Sequence, residues 1–221
     1  ENEDKKLTFA LAEMPRMVKS MEEGTTRIIN IVRSLGKFSR IAKHAVEPSN
    51  IGEIIEAALN FCRLDLTVKH KYKVQLDLSD DIPNINISRQ EIEQVLINLI
   101  TNSCHAMEEI KDGKELILKI TASHVSNKVV IEITDNGHGI DEKTLNNVFD
   151  PFFTTKDIGK GTGLGLSICR GIIEQHRGNI TVSSTLGKGT TFTIKLPINP
   201  EIEERREKSD KKIIGGMRNE D

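Results

Sequence analysis

The sequence predicts a two-layer α/β sandwich, in which a mixed sheet of about five strands packs against three main helices, preceded by one long helix. Two observations predict this fold. Segments in which apolar and polar residues alternate, as in strands, are interspersed with helical segments in mixed order. The first region instead has apolar or small residues at steps of three and four, which is the heptad pattern of a helical bundle.

The composition is that of a globular chain long enough for one ordinary domain plus an appendage. Of its 221 residues, 37% are hydrophobic and 29% are charged, and the formal net charge is −2. This charge does not favour binding to nucleic acid or to an anionic membrane. No apolar run approaches the roughly 18–20 residues that cross a bilayer, and no signal peptide is visible. Because the chain begins at Glu1, we expect it to be part of a longer protein.

The cysteines indicate the redox environment. Cys62, Cys104 and Cys169 are far apart and form no C-x-x-C pair. A sparse set of this kind indicates reduced thiols rather than a disulfide or zinc framework. We therefore expect a cytoplasmic location, and whether the parent protein is anchored in a membrane stays open.

The first region, residues 1–47, is predicted to be one long helix that starts near Pro15, since proline is tolerated only in a first turn. Such a helix cannot bury its apolar stripe alone, which predicts self-association; packing onto its own globular domain is the alternative. Glu47 and Pro48 are expected to end the helix and mark the domain boundary. The stripe consists of Met14, Met17, Met21, Gly24, Ile28, Ile31, Leu35, Phe38 and Ala42.

Two capping boxes predict where helices start in the next region. Asn50 followed by Glu53 opens a helix through about Arg63, and Ser88 followed by Glu91 opens a second helix. Alternation and turn residues predict the strands, and a glycine-rich run precedes a third helix. The predicted strands are 72–78, 84–87, 115–125, 128–134, 180–184 and 190–196, and the third helix is 164–176. From residue 198 to 221 charged residues dominate, which is typical of a solvated tail or linker.

The first motif lies on the second helix. Asn98 and Asn102 are four residues apart and so share one face, which His105 and Ala106 continue. A carboxamide oxygen is a hard, neutral ligand suited to Mg²⁺ that keeps waters and binds phosphate. Two surface asparagines on an amphipathic helix are the alternative.

The second motif follows a strand rich in β-branched residues. Residues 135–139 read Asp-Asn-Gly-His-Gly. The Asp135 carboxylate can accept a hydrogen bond from an exocyclic amine, while Gly137 and Gly139 permit close approach of a flat base. A simple turn after a strand is the alternative.

The third motif is a glycine-rich run that leads into the third helix. Gly161, Gly163 and Gly165 leave backbone N–H groups free to face a phosphate at a helix N-terminus, and Lys156 could add a positive charge. The run lacks the ending of a P-loop, so a flexible connection without a ligand is the alternative. The loop from residue 149 to 161 has few anchors and could be a lid over a nucleotide.

Residues from about 49 to 197 resemble the ATP-binding domain shared by sensor histidine kinases, gyrase-type ATPases, heat-shock 90 chaperones and mismatch-repair ATPases, whose fold is the Bergerat type. The resemblance rests on an ordered set of motifs rather than on any one of them. These are the asparagine box (98–106), the first glycine box (135–140), the phenylalanine box (149–156), the second glycine box (161–166) and the closing segment 187–192.

This resemblance implies a site for ATP and Mg²⁺. Asn102 corresponds to the Mg²⁺ ligand, Asp135 to the carboxylate that binds adenine, and Thr190 to an adenine-side contact. His105 takes the place of a phosphate-facing lysine or other polar residue in many relatives, and a packing or surface role is the alternative. The phosphate-contacting lid corresponds to Gly161, Thr162, Gly163, Leu164, Gly165 and Leu166. The further nucleotide contacts implied are Ala106, Gly137, Gly139, Ile140, Phe152, Thr155 and Lys156.

One position separates kinases from hydrolases in this superfamily. The ATPases have a general-base glutamate one helical turn before the metal asparagine, and here that residue is Asn98. A carboxamide cannot take a proton from water, so positioning for phosphoryl transfer is favoured over hydrolysis. We therefore assign catalytic roles to Asn98, Asn102 and Lys156 in a histidine kinase. A slow ATPase or nucleotide-driven clamp, and an inactive binding module, are the alternatives.

The long first helix resembles the second helix of a kinase dimerisation hairpin, particularly in the nitrogen-sensor-like subgroup. The resemblance implies a homodimer through this region and a response-regulator receiver domain as partner. The acceptor histidine of such kinases precedes an acidic residue, and no histidine in this chain does. We therefore expect the first helix and the acceptor to be missing, so that the chain binds ATP without phosphorylating itself. The six histidines are His44, His70, His105, His124, His138 and His176.

Overall fold

The computed structural model describes residues 13, 14, 16–18, 20, 21, 24, 25, 45–63, 72–108, 110, 113–156 and 161–199. The chain divides into two compact units: a minor unit of Glu1–Ala42 and Val148–Ser167, and a main unit of Lys43–Asn147 and Ile168–Asp221. The described residues between 13 and 25 are helical, and the rest of the predicted heptad helix lies outside the described residues.

The main unit is built on a five-stranded mixed sheet in the spatial order β2-β4-β5-β7-β6. β2 pairs with β4 in parallel, and all other neighbours in this sheet are antiparallel. A separate pair, β1 and β3, is also antiparallel. The strands are β1 (Glu47–Ser49), β2 (Lys73–Leu78), β3 (Ile85–Ile87), β4 (Ile117–Val125), β5 (Lys128–Asp135), β6 (Asn179–Thr185) and β7 (Gly189–Pro197).

Helices form the second layer. They are α1 (Ile51–Arg63), α2 (Arg89–Glu108), the single turn α3 (Glu142–Leu145) and α4 (Gly165–Gln175). α2 packs on β4, β5 and β7, and α1 packs against α2 through a fully buried face that includes Ile51, Ile54 and Ile55. This arrangement confirms the predicted two-layer α/β sandwich. No helix in the described part of the chain is long and apolar enough to span a membrane.

The pleat of the sheet positions two polar residues at the end of the core. On β5 the buried positions alternate and end at Asp135, and on β7 they begin at Thr190. These two residues are direct partners in the antiparallel ladder. Because side chains two apart point to the same face of a strand, both lie on the face that carries the hydrophobic core.

Two sequence predictions about element ends are wrong in part. Glu47 does not close the long helix but lies in β1, where the extended backbone that Pro48 prefers pairs with Asn86. The sequence of β1, Glu-Pro-Ser, shows no alternation of apolar and polar residues from which a strand could be predicted. At the start of α2, Ser88 Oγ accepts from the Glu91 N–H at 3.4 Å, as a capping box requires. The Ser88 N–H, however, donates to His176 Nε2 at 3.0 Å rather than to the Glu91 side chain.

Candidate functional site

Asn98 and Asn102 lie one turn apart on α2 and are both half-buried. The opposite face of this helix, which includes Leu96, Leu99 and Ile100, is buried in the core. The Asn98 Nδ2 donates a hydrogen bond to Cys169 Sγ on α4 at 3.0 Å. Its carbonyl oxygen and its second amide proton remain for other partners.

Asp135 is a buried carboxylate with only 3% of its surface exposed. It accepts a hydrogen bond from the Gly137 N–H at 2.9 Å, and the backbone of Thr190 also donates to it. Burial raises the pKa of Asp135 above its ordinary value of 3.8, and these hydrogen bonds oppose that rise. The structure thus holds a carboxylate at the end of β5 in an environment where a donor on a ligand would be favourable.

Ser103 is a second polar group here, and the sequence did not single it out. It is buried on α2, and its hydroxyl faces Asp135 closely enough to lower the pKa of that carboxyl. The Ser103 oxygen nevertheless has no partner within ordinary hydrogen-bond distance in the ranges that the structure describes. Ser103 and Asp135 thus form a small buried polar group at the end of the core.

Two glycines of the second motif bring backbone segments together, and the close approach of a flat base to them stays a prediction. A Cβ at Gly137 would lie 2.9 Å from the backbone of Ala106, and the neighbouring His138 N–H donates to the Ala106 carbonyl at 3.2 Å. Gly139 has a φ of +73° and leaves no room for a side chain beside the Thr185 carbonyl. The first glycine box is therefore held against the end of α2 and against the end of β6.

Thr190 is joined to the first glycine box through Ser184. The Ser184 Oγ accepts from the Ile140 N–H at 2.8 Å and lies 2.9 Å from the Thr190 Oγ1. Gly189, with a φ of +124°, packs its Cα against the Asp135 carbonyl so closely that only glycine fits. The closing segment is thereby attached to the same strand end as the buried carboxylate. Nothing in the alternating sequence of β6 distinguishes Ser184 from its neighbours.

The remaining predicted site residues, apart from Gly165 and Leu166 at the start of α4, lie in loop segments of the minor unit. Gly163 has a φ of +67°, and a side chain there would overlap the backbone of Phe152, which itself has a φ of 68° and an exposed ring. The Thr154 Oγ1 accepts from the Lys156 N–H at 3.2 Å and would lie 2.7 Å from a Cβ at Gly161. The phenylalanine and second glycine boxes are thus packed on each other. Thr155 is exposed. The Thr162 Oγ1 accepts a hydrogen bond from the Leu164 N–H at 3.4 Å.

The described residues offer few side chains that could bind a metal ion together. No group of three or more His, Cys, Asp or Glu side chains in those ranges could hold a metal ion. The Asn102 carboxamide is half-buried and makes no hydrogen bond to another described residue. His105, next to it, has an exposed side chain. A hard cation bound here would therefore rely on carboxamide oxygen, water and ligand oxygens, which is the pattern that Mg²⁺ tolerates.

Comparison with known proteins shows the family to which the chain belongs. Residues 87–200 match the family described as "Histidine kinase-, DNA gyrase B-, and HSP90-like ATPase". The sensor histidine kinase ZraS of Escherichia coli (strain K12) is 32% identical over 187 residues, which are 85% of this chain and 38% of ZraS. Sporulation kinase E of Bacillus subtilis (strain 168) is 43% identical over 185 residues, or 82% of this chain and 24% of that kinase. The chain thus spans about a quarter to two-fifths of these relatives.

Solved structures show the same fold. The catalytic domain of histidine kinase ThkA superposes with a TM-score of 0.60 at 30% identity, covering 71% of this chain and 97% of that domain. ThkA in complex with the response regulator protein TrrA gives a TM-score of 0.65 at 27% identity, covering 84% of this chain and 52% of the ThkA chain.

Proposed function

Because this chain belongs to the histidine kinase-, DNA gyrase B- and HSP90-like ATPase family, we propose that it donates the γ-phosphoryl group of ATP to a histidine on a partner helix. It is the ATP-binding catalytic domain of a sensor histidine kinase. The acceptor in this proposal is not one of the six histidines of the chain, since none precedes an acidic residue.

The observation that carries the proposal is the identity of Asn98. It lies one turn before Asn102 on α2, its Nδ2 is bound to Cys169 Sγ at 3.0 Å, and neither end of a carboxamide can accept a proton from water. The site can hold a nucleotide in line for an external nucleophile but offers no base here to activate water. Phosphoryl transfer depends mainly on such positioning.

In this proposal Asp135 accepts a hydrogen bond from the adenine amino group, and Ser103 and Thr190 lie beside it. Asn102 supplies carboxamide oxygen to Mg²⁺, which when bound neutralises charge on the phosphate oxygens. Ala106, Gly137, Gly139 and Ile140 line the approach of the base. The phosphates are proposed to contact His105, Phe152, Thr155, Lys156, Gly161, Thr162, Gly163, Leu164, Gly165 and Leu166, as the matched motifs imply.

The rest of the chain is assigned by the same reasoning. In this proposal the ATP-binding domain runs from β1 (Glu47–Ser49) to residue 197, the region before β1 contributes a dimerisation helix that makes a homodimer, and 198–221 is a charged tail. A response-regulator receiver domain is the proposed downstream partner, supported by the complex of ThkA with TrrA. A cytoplasmic location is proposed as well, and it is supported by three buried cysteines that form no disulfide in the described residues.

A transfer assay tests the proposal. The chain is incubated with γ-labelled ATP, Mg²⁺ and a separately produced acceptor hairpin of a related kinase, and acid-labile label on the hairpin is measured. We expect label on the hairpin, none when its acceptor histidine is alanine, and none on this chain. Steady-state ATP hydrolysis abolished by Asn98→Ala would support the ATPase alternative instead. Tight Mg·ATP binding with no transfer to several hairpins would favour an inactive module and contradict the kinase assignment.

A further inference from the structure

Ser184 has three oxygen or nitrogen partners at hydrogen-bond distance, which is the full capacity of a hydroxyl group. Its Oγ lies 2.8 Å from the Ile140 amide nitrogen, 2.8 Å from the Gly189 carbonyl oxygen and 2.9 Å from the Thr190 Oγ1. These contacts join β6, β7 and the first glycine box.

The positions of the protons follow from this set. The Gly189 carbonyl has no proton to give, so its contact with Ser184 Oγ requires the Ser184 proton. The Ile140 amide can only donate, and it uses one acceptor position of Ser184. The contact between Ser184 and Thr190 therefore needs the Thr190 proton. The Thr190 hydroxyl is left able to accept a hydrogen bond from a ligand but unable to donate one.

Thr190 stands directly opposite Asp135 in the β5–β7 ladder, and both side chains are buried. Asp135 in its ionised form also only accepts hydrogen bonds. The 6-amino group of a purine has two protons and can donate to both members of this pair. A purine with an oxo group at position 6 offers an acceptor there, and the single proton on its N1 can satisfy at most one of the two. Unmatched buried polar groups reduce affinity far more than matched ones raise it.

We propose that Ser184 is a specificity-positioning residue, which holds the Thr190 hydroxyl as an acceptor and so makes the site select 6-amino over 6-oxo purine nucleotides. This rests on the proposed binding of adenine at Asp135. Without Ser184, the Thr190 hydroxyl can rotate and donate to an oxo group, so discrimination falls although no residue that contacts the base has changed.

The test compares the dissociation constants of ADP and inosine diphosphate by calorimetry. Ser184→Ala is set against Ser183→Ala, the same change one residue earlier at an exposed position of β6. We expect Ser184→Ala to lower the preference for ADP by about 3- to 10-fold, the range of one neutral hydrogen bond, and Ser183→Ala to leave it unchanged. In a Thr190→Val background, Ser184→Ala should have no further effect on the preference, although its effect on thermal unfolding should persist.

The outcomes separate this inference from the proposed function. If the unsubstituted chain binds neither nucleotide, or binds both equally with and without Asp135→Asn, the adenine site itself is wrong. If the chain prefers ADP through Asp135 but Ser184→Ala keeps that preference, or changes it equally with and without the Thr190 hydroxyl, the inference about Ser184 is overturned. Should Ser184→Ala not fold, Thr190→Val alone must lower the preference, and an unchanged preference overturns the inference.

Discussion

The Asn98 carboxamide is anchored by a cysteine: its Nδ2 lies 3.0 Å from the Sγ of Cys169, seventy-one residues later in the chain. Cys169 is fully buried on α4, and burial raises the pKa of its thiol to about 12. The thiol therefore stays neutral and accepts the Asn98 hydrogen bond without competing as a nucleophile. Asn98, which we propose favours phosphoryl transfer over hydrolysis, is thus oriented by a group that bears no charge.

Removing this anchor should slow phosphoryl transfer. In Cys169→Ala the Asn98 side chain loses its hydrogen bond and can turn, so we expect the rate of transfer to an acceptor hairpin to fall about 2- to 10-fold, the value of one hydrogen bond. Cys62→Ala, at another buried cysteine on α1, is the matched control. Equal rates for the two variants, at equal thermal stability, would contradict the positioning role of Cys169.

Replacing Asn102 should change the dependence of nucleotide binding on metal. Asn102→Asp places a negative charge where the phosphates and Mg²⁺ are proposed to meet, so we expect ADP affinity without metal to fall and the concentration of Mg²⁺ at half-maximal binding to shift. Asn86→Asp on β3, where the residue is exposed, adds the same charge away from the site. A titration of ADP binding against Mg²⁺ checks this, and identical curves for the two variants would remove Asn102 from the metal site.

Loss of the Asp135 charge should weaken nucleotide binding strongly. A hydrogen bond to a charged group contributes about 1.5–3 kcal/mol, so Asp135→Asn should raise the dissociation constant of ADP about 10- to 150-fold. Asp141→Asn, at an exposed residue that caps α3, should leave it unchanged. Calorimetry measures both, and an unchanged affinity in Asp135→Asn would refute the adenine contact.

Asp135 should also make the nucleotide-free fold less stable as the pH rises. Burial raises the pKa of Asp135 in the folded chain above its ordinary value of 3.8. At pH values between the unfolded and the folded pKa, the folded state therefore binds more protons than the unfolded state. The free energy of unfolding contributed by this carboxyl therefore falls as the pH rises through its folded pKa. Urea unfolding should show Asp135→Asn gaining stability relative to the unsubstituted chain from about pH 4 to pH 7.

Asp141 is a control, because its pKa is shifted in the opposite direction and its contribution to stability should change with pH in the opposite direction. Its hydrogen bonds from Thr144 lower the pKa of this exposed carboxyl, so its contribution to stability is present above the unfolded pKa and is lost as the pH falls. Asp141→Asn should therefore lose stability relative to the unsubstituted chain as the pH rises to about 4, the pKa of an unfolded aspartate, and should change little above it. Parallel curves for the two variants would show that burial of Asp135 is not the cause.

Two glycines with the same backbone conformation should respond differently to alanine. Gly139 and Gly187 have φ values of +73° and +77°, but a side chain would meet the Thr185 carbonyl at Gly139 and open space at Gly187. We expect Gly187→Ala to cost about 1 kcal/mol of unfolding free energy for the left-handed backbone. Gly139→Ala should cost a further ~1–3 kcal/mol for the clash. Equal decreases in unfolding free energy for the two variants, measured with urea, would mean that the Thr185 carbonyl does not exclude a side chain at Gly139.

Much of the site could be predicted because its signals are local. The four-residue step from Asn98 to Asn102 follows from helix geometry alone, and an aspartate before Asn-Gly at the end of an alternating segment marks a strand end. The partners of these residues could not be predicted in the same way. At the start of α2 the Ser88 N–H donates to the ring of His176, which is distant in the sequence. In a capping box the Glu91 side chain would accept this hydrogen bond.

The sequence by itself determined the fold class, the helix of Asn98 and Asn102, and the strand end at Asp135, because each depends on periodicity within a few residues. Only the tertiary structure decided which groups hold those residues in place. Cys169 contacts Asn98, Ser103 faces Asp135, and Ser184 Oγ lies at hydrogen-bond distance from Thr190 Oγ1. Such contacts join elements that are distant in the chain. The direction of each hydrogen bond depends on how the elements pack and on which groups carry protons, and the spacing of residues along the chain does not predict either.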